Sequence, residues 1–149
     1  IDSEVNGTTI DGTGSNYVGG IAGKAQNSSG SDKLIRNCRV NNVAIKGVDD
    51  LGGICGATCP NISECNVANS HILGTGNNIG GIQGFAGEIR GNNFEKVVID
   101  KCEVSGTEIT GNSNVNHIQG KNSYYYENPS AASPDEITNC KYNGANATQ

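Results

Sequence analysis

Two short motifs return in the same order along the chain, and they constrain its fold more than any other feature. The first, Ile-x-x-Cys-x-Val, starts at Ile35, Ile62 and Ile99, and its variant Ile-x-x-Cys-x-Tyr starts at Ile137. The second, Gly-Gly-Ile-x-Gly, starts at Gly19, Gly52 and Gly80. A unit too short to bury a core alone is stabilised by stacking on its neighbours. The motifs therefore predict a single repeat domain over residues 1–149.

The repeat units run roughly over 1–34, 35–61, 62–98, 99–136 and 137–149. Each of the first four ends in an insert of variable length, at 24–34, 57–61, 85–98 and 121–136. The first unit lacks its opening and the fifth lacks its end. We therefore expect the chain to be a fragment of a longer protein.

The amino-acid composition indicates which secondary structure the units form. The 22 glycines stand among many β-branched residues and asparagines, while Met and Trp are absent, which favours short strands joined by tight turns over a helical core. Stacked strands would align the Ile, Val and Cys positions into ladders. We predict an all-β fold, a right-handed parallel β-solenoid of about four to five coils with variable loop inserts. The alternative is a β-sandwich of short antiparallel strands.

Charge and hydropathy narrow the classes of partner. The formal net charge is −5, whereas nucleic-acid binding needs a basic face, so we expect no nucleic-acid partner. No apolar run approaches the roughly 20 residues of a membrane helix, so we expect no membrane insertion.

The motifs resemble the GLUG repeat. In that family a Gly-Gly-Leu/Ile-Val-Gly corner follows an Asn-Cys-Tyr-type strand, as Asn37-Cys38 precedes Gly52-Gly53-Ile54 here. The resemblance covers most of residues 5–144 outside the inserts, and Asn116-His117 departs from it by replacing Gly-Gly. It implies a repeat region of a bacterial surface or secreted protein, such as an adhesin-like protein or the non-catalytic part of an IgA-cleaving metallopeptidase. It implies an extracellular or cell-surface location and supplies no catalytic residue.

The six cysteines fall into two groups. One repeat position holds Cys38, Cys65, Cys102 and Cys140. At that position we expect buried thiols acting as small hydrophobes, because stacked parallel Cβ vectors suit a disulfide poorly. Cys55 and Cys59 lie outside this position and are candidates for a local disulfide. A zinc site that adds Cys65 to them is the weaker alternative, because the spacing lacks a Cys-x-x-Cys pair.

The turn before each Gly-Gly-Ile motif is rich in Asn and Asp. Matched positions hold Asn16-Tyr17, Asp49-Asp50, Asn77-Asn78 and Ser113-Asn114. Asn and Asp tolerate left-handed φ, and stacked amides can bond along the axis, so we expect a structural turn ladder. The alternative is a calcium site centred on Asp49 and Asp50, with oxygen ligands. Apart from this calcium, we expect no cofactor.

The last insert contains Tyr124, Tyr125 and Tyr126 in succession. Three consecutive tyrosines in an extended segment cannot all point inward, so at least one should be exposed as a ligand-binding candidate. The partner would be a host glycan or protein. The alternative is that they cover the apolar edge of the last coil, with Phe85 and Phe94 packed against them.

These observations predict a module without catalysis. Outward positions around the cysteines carry mixed charges, which is typical of a solvated face rather than of paired catalytic acids. We expect a stalk, adhesin or ligand-presenting segment that also contacts neighbouring domains of its own chain. Two alternatives stay open: a polysaccharide-active β-helix enzyme, and a fibre subunit that associates end to end through unpaired strand edges.

Overall fold

The computed structural model describes residues 2–25, 34–57, 61–89, 96–133 and 135–149. These residues form strands and turns without any helix. The first twelve strands are β1 (Glu4–Asn6), β2 (Thr9–Asp11), β3 (Val18–Gly19), β4 (Ala22–Lys24), β5 (Leu34–Arg36), β6 (Arg39–Asn41), β7 (Ala44–Gly47), β8 (Leu51–Gly52), β9 (Cys55–Ala57), β10 (Asn61–Ser63), β11 (Asn66–Ala68) and β12 (His71–Gly74). The remaining strands are β13 (Asn77–Gly80), β14 (Gln83–Phe85), β15 (Glu88–Ile89), β16 (Val98–Asp100), β17 (Glu103–Ser105), β18 (Glu108–Thr110), β19 (Ser113–Asn116), β20 (Gln119–Lys121), β21 (Tyr124–Tyr125), β22 (Glu136–Thr138), β23 (Cys140–Tyr142) and β24 (Ala145–Ala147).

The strands pair between repeat units rather than within them. Sheet 1 has the order β5-β10-β16-β22, and sheet 2 the order β1-β6-β11-β17-β23-β24. Sheets 3, 4 and 5 have the orders β2-β7-β12-β18, β3-β8-β13-β19 and β4-β9-β14-β20, and sheet 6 pairs β15 with β21. All pairs in these sheets are parallel except β23 with β24. The prediction of an all-β chain with parallel strands is confirmed, and the antiparallel sandwich does not describe this pairing.

The register follows the sequence alignment of the units. In sheet 3, Ile45 pairs with Ile10 on one side and Ile72 on the other, and Ile72 pairs in turn with Ile109. Ile45 and Ile72 are fully buried, whereas Ile10 and Ile109 at the two ends are half-buried. Equivalent apolar side chains therefore lie one above another, and burial in this column is greatest at its middle members.

Three positions of the repeat take a left-handed φ, and seven of the asparagines lie at them. One group precedes the cysteines: Asn37, Glu64, Lys101 and Asn139. A second follows the strands of sheet 2: Gly7, Asn42, Asn69, Gly106 and Asn143. The third precedes the Gly-Gly-Ile motif: Tyr17, Asp50, Asn78 and Asn114. Among residues with a Cβ, Asn and Asp reach this region at the lowest cost, because their short polar side chains bond locally.

The second glycine of each Gly-Gly pair faces the next unit. A Cβ on Gly81 would lie 2.8 Å from Cγ2 of Val104 and directly against the carbonyl oxygen of His117. The fourth unit departs from the motif at this same place. There the His117 ring stacks on the Tyr142 ring, with centroids 3.7 Å apart and an angle of 5° between planes. The fourth unit has His117 where the earlier units have the second glycine. The residue that pairs with Val104 in the fifth unit is Tyr142, where the earlier units have Val.

The chain extends sheet 2 with its own last strand. β24 runs antiparallel to β23, so Cys140 pairs with Ala147 and Tyr142 with Ala145. β24 thus takes the free edge of β23 and is itself the last strand of sheet 2, so end-to-end association through strand edges stays a prediction. Among the residues that the structure places, none forms a helix of the length and apolarity that a membrane crossing requires.

Candidate functional site

Sheet 5 sets four side chains in a row across its strands. Lys24 pairs with Ala57, Ala57 with Phe85, and Phe85 with Lys121. The central glycines of these strands allow sheet 5 to lie close to sheet 4: a Cβ on Gly56 would be 2.7 Å from the carbonyl oxygen of Asp50. The row therefore lies near the third group of residues with left-handed φ, which contains Asp50.

Aromatic rings gather around both lysines of the row. Lys121 Nζ lies 4.8 Å from the ring centroid of Tyr124 and 5.3 Å from that of Phe85, and these two rings stack with centroids 6.0 Å apart. At the other end, Lys24 Nζ lies 4.8 Å from the ring centroid of Tyr17. These are cation–π distances. We call these five residues the aromatic–lysine face.

The last insert contributes to the face through a short pair of strands. β21 pairs with β15 in parallel, so Tyr124 lies opposite Glu88. The Tyr124 hydroxyl donates to Glu88 Oε1 at 2.7 Å. Two inserts of different length are thereby joined above sheet 5, and this fixes the Tyr124 ring beside Phe85.

The three predicted tyrosines differ in their surroundings. Tyr124 and Tyr125 are half-buried, whereas Tyr126 is 53% exposed, in line with the expectation that at least one is exposed. The expected packing of Phe85 against the tyrosines is confirmed at Tyr124. Phe94 lies outside the described residues. Their role in ligand binding stays a prediction.

The sequence interpretation missed both lysines. A signal was present, because Lys24 and Lys121 each directly follow the last glycine of the repeat corner, in Gly23-Lys24 and Gly120-Lys121. The second and third units have Ala57 and Phe85 at that position. Aligning the units therefore places all four residues of the row at one repeat position.

The acidic turn residues form a hydrogen-bonded column. Asp49 Oδ1 accepts from the backbone N of Asn77 at 2.6 Å, and Asp50 Oδ1 accepts from Asn78 Nδ2 at 2.7 Å. Asn114 Nδ2 continues the column by donating to Asn78 Oδ1 at 2.7 Å. These bonds match the expected turn ladder of stacked side chains. Burial raises the pKa of Asp50 above its ordinary value.

No metal geometry accompanies these acids in the parts of the chain that the structure covers. There, no three His, Cys, Asp or Glu side chains cluster in a way that would hold an ion. The calcium site at Asp49 and Asp50 stays a prediction.

Asp135 anchors the last insert. Its carboxylate accepts hydrogen bonds from Ser123 N at 2.8 Å, from the Ser123 hydroxyl, and from Gln119 Nε2 and Val97 N at 3.3 Å each. Gln119 is fully buried and also donates to Gln83 Oε1 at 2.7 Å. This carboxylate thus ties the insert to β20 and to the residue before β16, next to the aromatic–lysine face.

The cysteines divide as the sequence indicates. Cys55 is disulfide-bonded, and Cys59 lies outside the described residues, so their pairing stays a prediction. The other group consists of the thiols Cys38, Cys65, Cys102 and Cys140, each at most 1% exposed. Hydrogen bonds with Cys140 and Cys65 raise the pKa of Cys102, whereas the bond from Cys102 lowers the pKa of Cys65 to about 7.

Backbone bonds hold these thiols in one column. The carbonyl of Cys38 accepts from Asn66 N at 2.9 Å, that of Cys65 from Glu103 N at 3.0 Å, and that of Cys102 from Lys141 N at 2.9 Å. The expected stack of buried thiols in register is therefore present in the structure.

Neither a protein-family model, nor a curated protein, nor a solved structure matches this chain. The likeness to GLUG repeats is carried by the motif residues alone.

Proposed function

We propose that the chain is a segment of a right-handed parallel β-solenoid that forms one repeat domain over residues 1–149. Four sheets of four strands and one of six support this proposal, because each strand pairs with its counterpart one unit away. About four to five coils would stack along one axis, each closed by a variable insert. The likeness to GLUG repeats supports placing the segment in a bacterial surface or secreted protein, at an extracellular location.

The function that we assign to this segment is ligand presentation without catalysis. The observation that carries the assignment is the contact of Lys121 Nζ with both the Phe85 and the Tyr124 rings, at 5.3 and 4.8 Å from their centroids. Tyrosines with an apolar body and a polar tip are common anchors of recognition sites. A rigid repeat with such a face fits an adhesin-type module that binds a host glycan or protein.

An array of glycans and host matrix proteins tests this function. The purified chain is compared with the triple variant Tyr124→Ala, Tyr125→Ala, Tyr126→Ala. The matched control is Leu34→Ala, which removes a 39% exposed apolar side chain from sheet 1. We expect array binding that the triple variant loses and the control keeps.

Two results would contradict the proposal. If the folded wild-type chain bound neither glycans nor matrix proteins, the segment would be a stalk without a recognition role. Equal binding by wild type and triple variant would place recognition elsewhere on the chain. Circular dichroism of all three proteins shows whether the fold is retained in each comparison.

A further inference from the structure

We propose that Asn143 is a site of spontaneous deamidation, in which the backbone nitrogen of Gly144 displaces the side-chain amide of Asn143. This inference does not depend on any ligand of the aromatic–lysine face. The two residues form the turn between β23 and β24, and both are exposed. The chain has two further steps of the same chemical kind, Asn6-Gly7 and Asp11-Gly12, and the structure distinguishes the turn from both.

The reaction needs no reagent other than water. The nitrogen of Gly144 bonds to Cγ of Asn143, and Nδ2 leaves as ammonia with the proton that the attacking nitrogen loses. The product is a cyclic succinimide. Water then adds to either ring carbonyl and opens the ring, which leaves aspartate or isoaspartate at position 143.

The attacking nitrogen has different surroundings in the three steps. Gly7 N donates to Asn41 O at 3.1 Å and Gly12 N to Lys46 O at 2.9 Å, so both are held in hydrogen bonds between units. Gly144 occupies the second position of the turn, and in the ranges that the structure describes its N–H has no backbone acceptor. An added Cβ on Gly144 would meet no atom within 4 Å, so the turn also has open space around it.

The carbonyl under attack is polarised by the neighbouring unit. Asn143 Oδ1 accepts a hydrogen bond from the backbone N of Gly106 at 2.9 Å. Negative charge develops on this oxygen as the attacking nitrogen approaches Cγ, and an N–H donor already bonded to it stabilises that charge. At Asn6 the corresponding donor is a side-chain amide, Asn41 Nδ2, at the longer distance of 3.2 Å. The bond from Gly106 therefore favours reaction at Asn143.

Isoaspartate at position 143 would change the end of sheet 2. Its main chain runs through the former side chain and is one carbon atom longer, whereas the hairpin joins Tyr142 to Ala145 by a two-residue turn. The register of Cys140 with Ala147 depends on that turn. We therefore expect β24 to separate from β23, which leaves the edge of β23 unpaired.

Incubation in mildly alkaline buffer followed by peptide mapping tests the site. Trypsin releases residues 142–149 and 1–24 as separate peptides, so the exchange of ammonia for water is measured independently at Asn143 and Asn6. In the folded chain we expect Asn143 to react about fivefold faster than Asn6, the factor that one backbone hydrogen bond contributes. In urea, where these bonds are lost, the two rates should be equal. Asn143→Gln should remove the product from peptide 142–149, because the longer side chain forms its ring much more slowly.

Hydrogen exchange at the amides of Ala145 and Ala147 tests the consequence. The aged chain is compared with the fresh chain and with Asn143→Asp, which adds the same charge without lengthening the main chain. We expect protection to be lost in the fraction that carries isoaspartate and to be kept in the fresh chain and in Asn143→Asp.

Two results would overturn the inference. Reaction at Asn143 no faster than at Asn6 in the folded chain would show that the turn protects its amide, and this removes the site. Unchanged exchange of β24 after isoaspartate has formed would show that the hairpin accommodates the longer main chain, and this removes the release of β24. Both reaction rates are read on the wild-type chain, so the first test does not depend on any variant folding.

Discussion

Replacing Gly81 with alanine tests whether the units are packed as closely as the corner glycines indicate. The φ of Gly81 lies outside the left-handed range, so alanine is conformationally acceptable there. The added Cβ would, however, lie 2.8 Å from Val104 Cγ2 and against the carbonyl oxygen of His117. The cost is therefore steric, and one of the two obstacles is backbone that cannot rotate away.

The magnitude follows from the nature of those contacts. Overpacking a close-packed site costs about 1–3 kcal/mol. Because the carbonyl of His117 belongs to the next unit, relief requires the units to separate, and we expect about 3 kcal/mol. For a chain of this size that corresponds to a fall of about 6–12 °C in Tm.

A matched glycine separates steric from conformational cost. Gly14 has φ +78° and no atom within 4 Å of the position of an added Cβ. Gly14→Ala should therefore cost about 1 kcal/mol through backbone strain alone. Urea unfolding followed by circular dichroism compares both variants with wild type. A free energy of unfolding for Gly81→Ala equal to or above that of Gly14→Ala would refute the close packing between units.

The other predictions concern the core, an ionised group and the insert. Ile72→Ala should lower the free energy of unfolding by about 4 kcal/mol and Ile10→Ala by about 2 kcal/mol. The difference is expected because Ile72 pairs with a unit on both sides and Ile10 on one side. Equal losses in urea unfolding would argue against stacked packing. Hydrogen bonds from Asn139 and Thr138 lower the pKa of Asp100, so its stabilisation is present above the unfolded pKa and is lost as pH falls through the folded one. The stability gap between wild type and Asp100→Asn should therefore narrow in acid unfolding curves below about pH 4, and a constant gap would contradict this. Asp135→Ala leaves its donors unpaired, so limited chymotrypsin digestion should cut the last insert faster than in wild type, and an unchanged rate would remove Asp135 as its anchor.

The pairing of strands was predictable because one signal repeats. Aligning the units on Ile35, Ile62 and Ile99 gives the register directly, since like residues in neighbouring units become partners. The same alignment indicates the buried cysteine position. This alignment compares units with one another and needs no structural feature of any one unit. Strand pairing is therefore easier to predict for repeat sequences than for other all-β chains.

The contacts of the inserts were not predictable in this way. Tyr124 is held beside Phe85 by the pairing of β21 with β15, and inserts of unequal length carry no alignment that shows it. The substitution of His117 for glycine is explicable only once its neighbour Tyr142 is known. Such pairings depend on which side chains of one unit touch the next, and no single unit contains that information.

One missed element did have a local signal. Asn143-Gly144 separates β23 from β24, and both residues take positive φ, 49° and 80°. A two-residue Asn-Gly connection between short strands is the strongest short-range indication of a hairpin. The antiparallel strand at the end of sheet 2 was therefore predictable from these two residues.

The spacing of partners along sheet 2 has a consequence for how such a chain spans distance. Val40 pairs with Val67, 27 residues later, and Val67 with Val104, 37 residues later. Each of these intervals advances the sheet by only about 4.8 Å, whereas an α-helix of about 30 residues would extend about 45 Å. Most of the residues in each interval therefore do not advance the sheet, so adding whole units extends the chain only slowly. Each added unit mainly adds side-chain surface, which repeats at intervals of about 4.8 Å along the sheet.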